Sequence, residues 1–222
     1  MKKYKYILFD LDGMMLNSDE GVFNSVCYAL EKMGYPRPDK ETLKKYMGPP
    51  LKYSFEHFSG LSKEESEQAL LYYRERYSVT GLYEGYIFEG IPQLLAELKA
   101  RNIKVGTATS KPEEFARKIL THFGIAHYFD EITGATFDDS RAHKHQVVEE
   151  AIRRFGFPDK SEVLLIGDRK YDTEGAHKVG IACFGVYMDC AEEGEHEQAG
   201  ADYVAHGVKE LTEALLVHPA DA

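Results

Sequence analysis

Two aspartates separated by one residue follow an apolar run in "YKYILFDLDGMMLNSDEG", residues 4–21. Asp10 and Asp12 at the mouth of a buried strand repel each other unless something compensates them, and a hard cation with oxygen ligands is the natural partner. Other reactive side chains stand at comparable places. "KVGTATSKP" delivers Thr109 and Ser110, "VLLIGDRKYD" delivers Asp168 with Asp172 four residues later, and Lys144 opens the helical pattern before that strand. Such a set suits phosphoryl transfer, which needs its charge neutralised, a nucleophile in line and a proton donor for the leaving oxygen. Asp10 is expected to attack phosphorus and form an aspartyl-phosphate. Asp12, pointing to a different side, is expected to act as general acid and then as base for the hydrolytic water. Their pKa values must then be driven apart. Magnesium held by Asp10, Asp168 and the carbonyl oxygen of Asp12 would favour the ionised nucleophile, while Thr109 and Lys144 grip the phosphoryl oxygens. In "RAHKH", Arg141 or a histidine competes with Lys144 for that place; His143 and His145 are expected at the surface.

Ligands of open parallel sheets sit beyond the carboxyl ends of the strands, so these residues require strands alternating with helices. From about Tyr83 onward the sequence has that texture. Ile91, Leu94, Leu95 and Leu98 make a helical stripe, followed by the strand "IKVGTAT", a helix over about 112–123 and a weaker strand near "YFDEITG". A helix over about 144–155 precedes the buried strand "SEVLLIGD"; "GIACFGVYM" and "ADYVA" read as further strands and "VKELTEALLV" as a closing helix. The expected fold is α/β, a Rossmann-like doubly wound parallel sheet. Between Leu16 and Thr80 the pattern is helical instead. Val22, Phe23, Val26, Cys27, Leu30 and Met33 keep a helix period ended by Gly34, and Ser62 with Glu65 forms a capping box opening a helix through about Tyr77. The expected organisation is therefore a core of residues 1–15 and 82–222 with a helical cap, 16–81, inserted after the first strand.

The chain has 222 residues, 43% of them apolar, enough to bury a sizeable core. A formal net charge of −10 argues against nucleic acid or anionic membrane as partner. It leaves room for a small anionic substrate, because a bound cation reverses the local sign. Cys27, Cys183 and Cys190 lack metal-site spacing and read as reduced thiols of a cytosolic protein. No apolar stretch is long enough to span a bilayer. The expectation is a cytoplasmic protein, monomeric or weakly dimeric, that acts on a small phosphorylated metabolite.

"FDLDGMMLNS", "TATSKP", Lys144 and "IGDRKYD" resemble, in order, the four motifs of the haloacid-dehalogenase-like hydrolase superfamily. The layout is similar to its phosphoglycolate phosphatase and 5′-nucleotidase-like members, with the helical block where they carry a cap. The resemblance implies the roles given to Asp10, Asp12, Thr109, Lys144 and Asp168, adds Gly13 and Ser110 to the phosphoryl-binding set, and makes Asp172 a secondary metal-site residue. Met14 stands where the family usually has threonine, which bears on local packing and not on the reaction. A mutase of the superfamily would need basic cap residues for a second phosphate, and "GPPLKYSF" supplies only Lys52, which is expected to face solvent. A pyrophosphatase fits the core chemistry equally well. Dehalogenases lack the second aspartate; receiver-type signalling domains are shorter and carry no helical insertion; a silent phospho-binding protein would not need the intact acid cluster.

Overall fold

The computed structural model describes residues 2–47, 49–138, 140–189 and 191–216; the expectations for Cys190 and for Val217 at the end of the closing helix lie outside them. β1 (Tyr6–Phe9) and β2 (Leu16–Asn17) precede α1 (Asp19–Lys32), α2 (Lys40–Lys44), α3 (Leu51–Phe58) and α4 (Lys63–Tyr77). Then come β3 (Tyr86–Ile87), α5 (Ile91–Ala100), β4 (Lys104–Thr107), β5 (Thr109–Pro112), α6 (Glu113–His122), β6 (Gly134–Ala135) and α7 (Lys144–Arg154). β7 (Val163–Gly167), α8 (Lys170–Val179), β8 (Ala182–Val186), α9 (Glu195–Ala199), β9 (Tyr203–Ala205) and α10 (Val208–Leu216) complete the order. The chain divides into two compact units, Met1–Leu16 with Ile87–Ala222, and Asn17–Tyr86.

The first unit is α/β. Its sheet has the order β4-β1-β7-β8-β9, and its strands pair in parallel. Side chains alternate across a strand, so Leu8, Val163, Leu165 and Cys183 share one face. There they pack with Val147, Val148, Ala151 and Ile152 of α7 and with Ala176 and Val179 of α8. Ile7, Phe9, Leu164 and Ile166 point the other way and are equally buried. Burial on both faces is why these strands read as unbroken apolar runs.

Two expected strands behave differently. "IKVGTAT" is broken at Ala108, whose carbonyl accepts a hydrogen bond from Lys144 Nζ at 3.0 Å; β5 then leaves the main sheet and pairs with β6. The strand expected near "YFDEITG" shrinks to an isolated bridge at Glu131 and the two residues of β6. Backbone bonds still tie it to β4 and β5, from the Asp130 N–H to the Val105 carbonyl at 2.8 Å, the Thr107 N–H to the Glu131 carbonyl at 3.0 Å and the Thr109 N–H to the Thr133 carbonyl at 3.3 Å, and side chains serve the remaining groups. Asp130 accepts the Val105 N–H at 2.9 Å, Thr107 Oγ1 bonds both N–H and C=O of Thr133, and Arg117 and Arg154 donate to the Ile132 carbonyl. Period-2 patterning cannot register such substitutions.

The second unit is helical. Ser62 caps α4 in a reciprocal box, its hydroxyl accepting the Glu65 N–H at 3.2 Å while Glu65 accepts the Ser62 N–H at 2.8 Å. α1 and α4 are tied by Lys32 and Tyr28, both bonded to Glu75, and Arg76 forks onto Glu84 with two bonds of 2.7 Å. Lys52 pairs with Glu67 at the surface.

Leu165 lies at the centre of the α7/α8 face with no exposed surface. Leu165→Ala is expected to lower unfolding free energy by about 2–5 kcal/mol in urea titration. A loss below about 1 kcal/mol would contradict this packing.

Candidate active site

Strand register brings the acidic residues together. Phe9 of β1 pairs with Ile166 of β7 on one side and with Thr107 of β4 on the other. The Asp10 N–H then donates to the Ile166 carbonyl at 2.8 Å and the Ala108 N–H to the Phe9 carbonyl at 2.9 Å. Asp10, Thr109 and Asp168 thus leave the same edge of the sheet. Asp172 joins them from the first turn of α8, and donor oxygens of Asp10, Asp168 and Asp172 lie within 4.8 Å of one another. All three residues are buried.

Lys144 makes this crowding tolerable. Its ammonium lies 2.6 Å from Asp10 Oδ1 and 2.7 Å from Asp172 Oδ1, with its side chain 8% exposed. It reaches that position because α7 and α8 approach closely at Gly175, where an added Cβ would stand 2.5 Å from Lys144 Cγ. The alternatives in "RAHKH" go elsewhere: Arg141 binds the Gly134 carbonyl and Glu113, and His143 is an exposed residue stacked on His145.

Gly13 places the main chain beside the cluster. Its φ of +82° favours glycine, and a Cβ there would fall 2.1 Å from Asp168 Oδ2. Met14 and Met15 turn inward from this loop and are fully buried, so methionine at 14 serves as core. The Asp12 side chain stands apart from the three clustered carboxylates and pairs with Lys111 Nζ at 3.1 Å. Thr109 is buried, its hydroxyl accepting the Lys111 N–H at 3.1 Å, while Ser110 is exposed. Lys111 and Glu195, which binds the turn after Asp168, were not singled out by the sequence. Lys111 stands in "TATSKP", but nothing in its spacing identifies Asp12 as its partner, and Glu195 is one of many acids in "AEEGEHE".

Electrostatics expose an incomplete site. With every group ionised, Asp10, Asp12, Asp168 and Asp172 face Lys144 and Lys111, which leaves two negative charges. Asp172 is engaged through both oxygens, by Lys144 and by the Arg169 N–H at 3.1 Å. Oδ1 of Asp168 and Oδ1 of Asp12 are buried without a hydrogen-bond partner. Burial, opposed by Lys144 and reinforced by Asp172, pushes the Asp10 carboxyl up to about 6. Burial and then the charges of Asp10 and Asp172 hold the Asp168 carboxyl well above the usual range. Burial opposes the charge on Lys144, yet Asp10 and Asp172 outweigh it and raise its pKa. An all-oxygen donor set with an unpartnered buried carboxylate oxygen fits a hard divalent cation such as magnesium.

The raised carboxyls bind protons in the fold that the unfolded chain has already released near its ordinary value of 3.8. Their stabilising contribution is complete below that value and is lost as pH rises through the raised values. In chelator, the melting temperature is therefore expected to fall as pH rises from the ordinary value of 3.8 through about 6, and Asp168→Asn to reduce that fall and raise stability above it. A variant less stable than the native protein at about pH 8 would contradict this electrostatic picture.

Residues 7–186 match the family described as haloacid dehalogenase-like hydrolase. The chain is 40% identical over 193 residues, 87% of each protein, to a 5′-nucleotidase of Pseudomonas aeruginosa. It is 35% identical over 213 residues to the tyrosine-protein kinase PtkA of Mycobacterium tuberculosis, covering 95% of this chain and 72% of that one. A crystal structure of a predicted phosphatase from Clostridium acetobutylicum superposes with a TM-score of 0.89 at 37% identity, covering 97% of this chain and 99% of that one. With matched residues running from β1 to the end of β8 and the acidic side chains gathered at the carboxyl edge, the chain belongs to the haloacid dehalogenase-like hydrolases.

Proposed function

We propose that this hydrolase is a magnesium-dependent phosphatase of small phosphate monoesters, working through an aspartyl-phosphate on Asp10. The observation that carries it is the buried triad of Asp10, Asp168 and Asp172 with Lys144 bonded to two of its members. Asp10, Asp168 and the Asp12 carbonyl oxygen, with Asp172 in support, would hold magnesium, which when bound would supply positive charge against the phosphoryl oxygens.

Asp10 attacks phosphorus with a carboxylate oxygen as the bond from phosphorus to the leaving oxygen breaks, and Asp12 gives that oxygen its proton. Lys144 holds Asp10 by Oδ1 and orients the carboxylate. Asp12, now ionised, takes a proton from water; the water oxygen attacks phosphorus, inorganic phosphate leaves, and the Asp10 carboxylate and protonated Asp12 are restored. Lys111, 3.1 Å from Asp12 Oδ2, orients the Asp12 side chain for both steps. Thr109 and Lys144 steady the phosphoryl oxygens, with the main chain at Gly13 and the Ser110 hydroxyl at the rim. The likeness to the Pseudomonas aeruginosa 5′-nucleotidase favours nucleoside 5′-monophosphates over phosphoglycolate as substrates. No helix among the described residues is long and apolar enough to cross a membrane, and a small phosphorylated metabolite in the cytoplasm remains the fitting partner.

A phosphate-release panel of nucleoside monophosphates, phosphoglycolate, sugar phosphates and pyrophosphate tests this. Release is expected for nucleoside monophosphates, silenced by chelator and restored by magnesium; turnover that persists in chelator would discredit the cation's role. Asp10→Asn should abolish turnover with the fold intact. Asp12→Asn should lower kcat by roughly 10²–10⁴-fold, and a loss of about tenfold or less would remove it as the proton carrier.

A further inference from the structure

Asp168 and Asp172 are joined by a single turn, and that turn is held from outside the acidic cluster. Arg169 and Lys170 lie between them at the start of α8. The Glu195 carboxylate, 8% exposed, accepts Arg169 Nε at 2.9 Å and the Lys170 N–H at 2.8 Å on the same oxygen, Oε1. Its other oxygen accepts the Glu192 N–H at 3.2 Å, which fixes the carboxylate to its own loop. The Lys170 amide belongs to the first turn of α8 and has no intrahelical acceptor, so Glu195 supplies the partner and places negative charge at a helix N-terminus. Burial opposes the ionised form, but the Lys170 N–H and the Arg169 guanidinium outweigh it and hold Glu195 below the usual carboxylate range.

The same contact restrains a positive charge. Arg169 adjoins Asp168, and its guanidinium is engaged with Glu195 while Asp168 Oδ1 is left without a hydrogen-bond partner. Released from Glu195, the guanidinium is within one residue of the carboxylate proposed to receive the cation, and would neutralise it in the cation's stead. We propose that Glu195 is a positioning residue for the cation site, holding the Asp168–Asp172 turn in shape and keeping Arg169 off Asp168. This rests on the magnesium-dependent function proposed above. Glu195 does not touch the reacting atoms; it acts through Arg169 and Lys170.

Calorimetric titration of magnesium chloride into the chelator-stripped full chain, without phosphate compounds, tests the proposal. Glu195→Ala should weaken magnesium binding by about 10–100-fold, the scale for partners that orient metal ligands. Glu195→Gln, which keeps an acceptor for the Lys170 N–H, should lose less than Glu195→Ala. Adding Arg169→Ala to Glu195→Ala should recover part of the lost affinity, a coupling that a purely structural role would not produce. Should Glu195→Ala fail to fold, the glutamine variant decides, with a weakening of about threefold or more expected. Native affinity in folded Glu195 variants would overturn the role of Glu195 alone. Failure of the native protein to bind magnesium would overturn the cation-dependent function and this proposal with it.

Discussion

The arrangement depends on one buried ammonium. Lys144 lies between Asp10 and Asp172 and also holds the Ala108 carbonyl. It thereby connects the end of β1, the break between β4 and β5, and the first turn of α8. Removing one partner from a buried charge network leaves the others uncompensated, which is far more costly than never having buried them. Glycine at 175 is the packing condition for this contact, because any side chain there would collide with the Lys144 stem.

Even so, Lys144 does not balance the cluster. Asp168 gains no cation partner from it, and burial holds both Asp10 and Asp168 in a state that resists ionisation. A fold selected only for stability would have no use for three carboxylates within 4.8 Å of one another. Perturbed carboxyls gathered at the carboxyl edge of a parallel sheet are more economically explained as a reactive site. The supports extend outward in layers: Gly13 lets the main chain approach Asp168, Lys111 holds the Asp12 side chain, and Glu195 braces the turn that carries Asp168 and Asp172.

Much of the scaffold was legible because it rests on local rules. The apolar runs of β1 and β7, the helical stripes of α1 and α5, and the Ser62–Glu65 box each follow from period, burial or capping within a few residues. The spatial meeting of Asp10, Asp168, Asp172 and Lys144 was legible for a related reason, since parallel strands deliver their carboxyl ends to one edge. What escaped the sequence depends on contacts between distant residues. The split at Ala108 follows from a lysine 36 positions later, and the weak strand before β6 keeps only part of its ladder, with Asp130, Thr107 and two arginines serving other backbone groups. Lys111 and Glu195 escaped for the same reason, as their partners are set by tertiary placement and no spacing announces them.

The most direct measurement is where the phosphoryl group goes. Asp12→Asn protein, mixed with magnesium and a nucleoside monophosphate that the native protein hydrolyses, is quenched in acid, digested and examined by mass spectrometry. The account predicts one added phosphoryl group on the peptide carrying Asp10. A phosphoryl group on another residue, or none formed while phosphate is still released, would contradict it.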